Sequence, residues 1–198
     1  WTLRAVLYKP FFGKFSLPSY LGKPTLILGI KRIFIDKKVR IFPHVRMETH
    51  QNGTITIQED VIISQNVHIT SASNLVIGKK SLILANVFIT NIDHEYQEIG
   101  KHVVKQKYLV KETTIGENAY IGMGAAIMAG TKLGKQCVVG ANSVVRGEFP
   151  DYCVIAGNPA KIIKKRFDDE TIELLLKLQW WNWDEETLLD HLEDLAFA

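Results

Sequence analysis

The run Asn91-Ile92-Asp93-His94-Glu95-Tyr96 holds the strongest candidate for chemistry in this chain. A neutral imidazole, with a reference pKa of about 6.5, suits proton removal near neutrality. Asp93 and Glu95 flank His94, and either could supply the catalytic carboxylate that fixes the ring. The other histidines, His44, His50, His68, His102 and His191, lack a supporting pattern. No histidine pair has helical ligand spacing and no Cys/His cluster suggests zinc, so no metal is expected. Ser64, Ser71, Ser73, Ser81 and Ser143 have no Gly-x-Ser-x-Gly setting. Gly100-Lys101 and Gly134-Lys135 lack the glycine spacing of a phosphate-binding loop. What remains is direct attack by an acceptor whose proton His94 removes.

The element that must position His94 announces itself as a beat of six residues. Ile115, Ile121, Ile127, Leu133, Val139 and Val145 recur every sixth place. Two residues before each stands a small side chain: Thr113, Ala119, Ala125, Thr131, Cys137, Ser143. Glycine follows at Gly116, Gly122, Gly134 and Gly140, and is expected there to permit unusual corner angles. Neither a helix nor a half-buried strand has this period. It is the mark of an all-β solenoid, a parallel β-helix of hexapeptide repeats in which three repeats make a triangular coil.

The beat is fainter upstream, at Ile57, Ile63 and Ile69, then at Ile77, Ile83 and Ile89, with Ile35 and Ile41 in a worn first coil. From Ile89 to Ile115 the gap exceeds one repeat by twenty residues, so a loop near 91–110 projects from the prism, with His94 where it departs. Three regions follow. Residues 1–32, broken by Pro10, Pro18 and Pro24, read as an irregular cap in which Phe11, Phe12 and Phe15 cover the prism end. Residues 33–165 are the β-helix. Residues 166–198 are a helical extension, with Asp168 or Asp169 and then Asp184 as helix caps. Leu174, Leu175 and Leu178 are expected on one face, with Ile172 and Leu176 at its margins; Leu188, Leu189, Leu192 and Leu195 form another. Trp180, Trp181 and Trp183 read as packing anchors.

Hydrophobic content of 46% with 23% charge is globular, not disordered. Net charge is only +3, yet residues 1–47 carry ten cations against the single acid Asp36. That end could face an anionic membrane or a phosphorylated substrate. Nucleic acid is not expected, since no binding motif accompanies the charge. Two cysteines in unlike settings make no disulfide framework, which suits a reducing cytoplasm. No apolar run reaches transmembrane length. The chain opens on Trp1, which leaves room for an initial segment and any targeting signal ahead of it.

The repeats, the Asp93-His94 loop and the run Val154-Ile155-Ala156-Gly157-Asn158-Pro159-Ala160-Lys161 resemble the hexapeptide-repeat acetyltransferases. The nearest groups are the galactoside/maltose type, the polysaccharide O-acetyltransferases and the xenobiotic acetyltransferases; Trp180-Trp181-Asn182-Trp183 is most like the last. The resemblance implies a left-handed β-helix, a homotrimer, and acetyl-CoA bound between subunits. It implies His94 as general base toward an acceptor hydroxyl. Matched to the family's motifs, Met123, Ala141, Val145, Arg146, Lys161 and Lys164 would contact the coenzyme, the first four mainly through backbone groups and packing surface and the two lysines by meeting its phosphates. Ser64, Asn66 and Tyr120 would line the acceptor site; Ser64 stands where the galactoside type has asparagine, and Tyr120 where tryptophan is common. The excursion after His94 is shorter than the substrate loop of streptogramin acetyltransferases. The expected function is O-acetylation of a sugar in a surface polysaccharide or its precursor, in the cytoplasm or at the inner membrane face. Antibiotic O-acetylation, amino-sugar N-acetylation and a catalytically silent scaffold are the alternatives.

Overall fold

The computed structural model describes residues 1–191, so Leu192 and Leu195 lie outside the described residues. Residues 1–164 and 165–198 are two compact units. In the first, a left-handed parallel β-helix stacks its strands into three walls of seven, eight and six. The first wall carries the column Ile35, Ile57, Ile77, Ile115, Leu133 and Phe149 in register. The second stacks Leu21, Ile41, Ile63, Ile83, Ile121, Val139 and Ile155. The third stacks Ile27, Met47, Ile69, Ile89, Ile127 and Val145.

The six-residue beat becomes this core. Every aliphatic of the later beat is buried, and so is every small residue two places before it. Most strands offer only two or three residues, so the ladder alone is thin. Burial of an aliphatic side chain is worth about 1.5–3 kcal/mol, and the columns repeat that gain coil after coil.

Two expectations are corrected. The coils begin at Lys14, inside the stretch read as an irregular cap. Lys14–Phe15, Tyr20–Leu21 and Leu26–Leu28 pair in register with the next coil. Phe15, Leu21 and Ile27 keep the beat, but an aromatic opens it and Pro18 and Pro24 stand between the strands, where a ladder donor is not needed. The cap is the helix α1 (Thr2–Tyr8) with the 3-10 turn Lys9–Phe11. Ala5 and Phe12 are buried there, Phe12 edge-on to Phe15, whereas Phe11 is exposed.

The second correction concerns glycine. Gly116, Gly122, Gly134 and Gly140 are outside the left-handed region. What they permit is close approach of coils: a Cβ on Gly122 would lie 2.6 Å from Ala141 N and 2.7 Å from Val139 O. Left-handed corner angles are carried mostly by other residues, among them Asn66, Asn86, Asn118 and Asn142. Asparagine tolerates that region better than most side chains.

In the second unit, α2 (Asp169–Leu178) is capped by Asp168, which accepts Thr171 N–H at 2.7 Å. The 3-10 turn Trp180–Asn182 leads to α3 (Glu185–Asp190), capped by Asp184 on Thr187 N–H at 2.8 Å. Ile172 and Leu175 are the buried residues of α2, while Leu174 and Leu178 are exposed, so the apolar face is rotated from the one expected. Trp181 is buried, edge-on to Trp180. No described helix is long and apolar enough to cross a membrane.

Candidate active site

The third-wall strand Phe88–Thr90 ends on Asn91, where the chain leaves the prism. It departs through Ile92–His94 and returns antiparallel through Tyr108–Val110, with His94 opposite Tyr108. Asn91, which no sequence pattern singled out, pins the root. Its fully buried side chain accepts Ala72 N–H at 2.8 Å and donates to Ser71 Oγ at 2.9 Å and Ser73 Oγ at 3.0 Å. Thr113 Oγ1 closes the root by donating to Thr90 O at 2.9 Å. A satisfied buried amide network of this kind fixes backbone direction. The available signal was register: Asn91 stands twenty residues after Ser71, one coil on.

His94 is therefore carried by a rigid base. Its ring meets Tyr108 edge-on at 4.7 Å, and its Nδ1 is buried without a hydrogen-bond partner in the protomer. Asp93 does not hold the imidazole. One of its oxygens accepts the His94 backbone N–H at 3.0 Å, and the other accepts Arg146 Nη2 at 2.9 Å. Neighbours on a strand point to opposite sides, which is why the expected carboxylate turns away. Burial alone would raise the Asp93 carboxyl; the Arg146 hydrogen bond, the His94 N–H and the Arg146 charge outweigh it and hold the group below the usual carboxylate range.

The hairpin beyond His94 encloses a cavity of about 420 Å³ lined by Glu95, Tyr96, Gln97, Glu98, Gln106 and Leu109. Farther down the third wall, His68 Nε2 lies 2.9 Å from Glu48 Oε1, and Arg46 also donates to Glu48. Among the described residues no group of three or more His, Cys, Asp or Glu could hold a metal.

The other expected residues fall elsewhere. Between the second and third walls the chain turns at Asn66, Asn86, Met123-Gly124 and Ala141-Asn142. These corners stack through Gly124 N–H to Ala85 O at 3.0 Å and Asn142 N–H to Met123 O at 2.9 Å. Met123 and Ala141 are exposed there, one coil apart. Ser64 leads into the same corner, and half-exposed Tyr120 lies on the second wall between Leu82 and Val138. Asp93, His94 and Arg146 occupy the opposite edge of the third wall, roughly 15–20 Å away for a wall six residues wide.

Val145 turns its side chain into the core and keeps only backbone groups for the coenzyme contact that the resemblance implies. The expected lysine pair is corrected. Lys161 and Lys164 are exposed on the strand Ala160–Lys165, but three apart on a strand they face opposite ways and do not make one phosphate clamp.

The family model for bacterial transferase hexapeptide (six repeats) matches residues 112–147. The putative lipopolysaccharide biosynthesis O-acetyl transferase WbbJ of Escherichia coli K12 is 36% identical over 134 residues, covering 64% of this chain and 68% of that one. The chain belongs to the hexapeptide-repeat acetyltransferase family. A probable macrolide acetyltransferase of Lysinibacillus sphaericus is 49% identical over 85 residues, 43% of this chain. That match spans only 47% of the relative's own length. Among solved structures, the N-acyltransferase AntD from Bacillus cereus, in complex with dTDP and 3-hydroxybutyryl-CoA, superposes with a TM-score of 0.72 at 17% identity, over 91% of this chain and 97% of that one. At 17% identity, that likeness speaks to the fold.

Proposed function

We propose that this chain is an acetyl-CoA-dependent O-acetyltransferase acting on a sugar hydroxyl of a surface polysaccharide or its precursor. His94 is the general base, and each site is shared between protomers of a homotrimer. The observation that carries the proposal is the division of candidate residues between two edges of one wall. His94 with the Asp93–Arg146 pair stands at one edge; Asn66, Met123 and Ala141 stand at the other. Reacting atoms must come within about 3–3.5 Å, so one protomer alone cannot close the site across a wall. Prisms packed around a threefold axis bring one edge of each against the opposite edge of the next. WbbJ supports the acceptor class, and the acyl-CoA ligand of AntD supports the donor class.

With Nδ1 enclosed, Nε2 is the His94 nitrogen left to meet the acceptor. It takes the hydroxyl proton as the oxygen attacks the thioester carbonyl. When the tetrahedral oxyanion collapses and the C–S bond breaks, the imidazolium returns that proton to the departing thiolate. Ester and free thiol result. Backbone N–H groups along the Met123–Ala141 corner supply the oxyanion's donors, a contribution usually comparable to that of the base.

The test follows free-thiol release from acetyl-CoA over a panel of sugars, amino sugars, chloramphenicol and a macrolide. Turnover of hydroxylated sugars is expected, with His94→Ala slower by about two to four orders of magnitude. Preference for the antibiotics, toward which the macrolide relative points, would replace the sugar assignment. Preference for amino sugars would make it an N-acetyltransferase. An unchanged His94→Ala rate would remove the base.

A further inference from the structure

We infer that the N-terminal end of the prism is a docking surface for an anionic phospholipid bilayer. The surface itself does not rest on acetyl transfer. Helix α1 turns only Ala5 into the core, while Leu3 is 73% exposed, Val6 47% and Leu7 62%. Positions 3, 6 and 7 share one side of a helix, so the apolar face of α1 points outward. Phe11 extends that face at 59% exposure, and Trp1 flanks it at 55%. Beside α1 opens a cavity of about 380 Å³ lined by Trp1, Thr2, Tyr20, Arg40, Ile41 and Phe42.

Charge decides what covers this face. The first 35 residues hold six cations and no acid. Lys14 is paired with Asp36, but Lys9, Lys23 and Lys31 are exposed and enter no ion pair among the described residues. Large apolar side chains and an aromatic set among unopposed cations fit the boundary between headgroups and acyl chains of an anionic leaflet. In the homotrimer proposed above, cyclic symmetry points all three prisms the same way. Three such ends then lie in one plane, and their weak attachments reinforce one another. A site on these prisms would stand over a membrane holding a lipid-linked acceptor.

Flotation with vesicles of phosphatidylcholine, alone or mixed with phosphatidylglycerol, tests this. The protein should float with the mixed vesicles at low salt and be released by high salt. Leu3→Ser/Leu7→Ser should lower that binding at least about tenfold, and Leu3→Met/Leu7→Met should restore it. Melting temperature and turnover of a soluble acceptor should be unchanged in both. Failure of wild type to float with anionic vesicles would overturn the inference, as would equal binding by the serine variant. A serine variant whose oligomeric state changes by light scattering without lipid would also overturn it, making the face a contact between copies of this chain. Because flotation reads no chemistry, its failure and that of the acetyltransferase reading are separable.

Discussion

Gly78→Ala probes the spacing of the coils that flank the hairpin. Gly78 lies outside the left-handed region, so alanine brings no backbone strain of that kind. Its Cβ, however, would stand 2.6 Å from Gly116 C, 2.7 Å from Glu117 N and 2.8 Å from Gly116 O. Ordinary contact begins at 3.4 Å, so the coils must part by about 0.8 Å, the difference 3.4 − 2.6. All three atoms are backbone, and no side chain can swing aside. Overpacking of this kind costs about 1–3 kcal/mol. The same movement stretches the 2.8 Å bond from Gly78 N–H to Ile115 O, which adds about 0.5–1.5 kcal/mol. A total of about 1.5–4.5 kcal/mol lowers the melting temperature by roughly 3–18 °C in a chain of this size. Thermal and urea denaturation, followed by circular dichroism at matched protein concentration, read it. Asn118→Gly, at a corner with φ of +54°, should change stability by less than about 0.5 kcal/mol. If Gly78→Ala melted with wild type, proximity would not be what glycine supplies in this repeat.

Two further outcomes follow from the electrostatics. Asp93 is held below its unfolded value, so its pairing stabilises the fold above about pH 4 and loses that effect as pH falls through the lowered value. The stability difference between wild type and Asp93→Asn should be flat near neutrality, at about 0.2–1 kcal/mol for so exposed a pair, and vanish in acid; a difference that grows in acid would contradict the pairing. Burial pushes the Cys137 thiol up to about 11, and Cys153 is buried as well. At pH 8 a thiol reagent should titrate neither quickly in the folded protein and both after denaturation, and one fast native thiol would refute that placement.

The interior was legible because a repeat imposes one geometry many times. Ile115 through Val145 needed no three-dimensional information to be placed inside. The excursion was legible as length alone: twenty surplus residues had to leave and return. Features joining distant coils were not. Asp93 meets Arg146 across 53 residues only because the hairpin folds back on its corner. Asn91 is an anchor only because Ser71 and Ser73 lie one coil below it. The first coil escaped notice because Phe15 replaces an aliphatic and prolines crowd the corners. Matching motifs along the chain made Lys161 and Lys164 a pair on the coenzyme phosphates, but strand alternation, which decides direction, turns the two lysines apart. In α2 the choice between neighbouring leucines depended on which side became covered.

Subunit complementation tests the shared site most directly. His94→Ala disables one edge of the third wall, and Ala141→Trp fills the other; each alone should be inactive. In trimers formed by refolding the two variants together in equal amounts, three quarters contain both chains and each such trimer has one intact site of three. Activity should therefore return to about a quarter of wild type. No return of activity in verified mixed trimers would contradict a site built from two protomers.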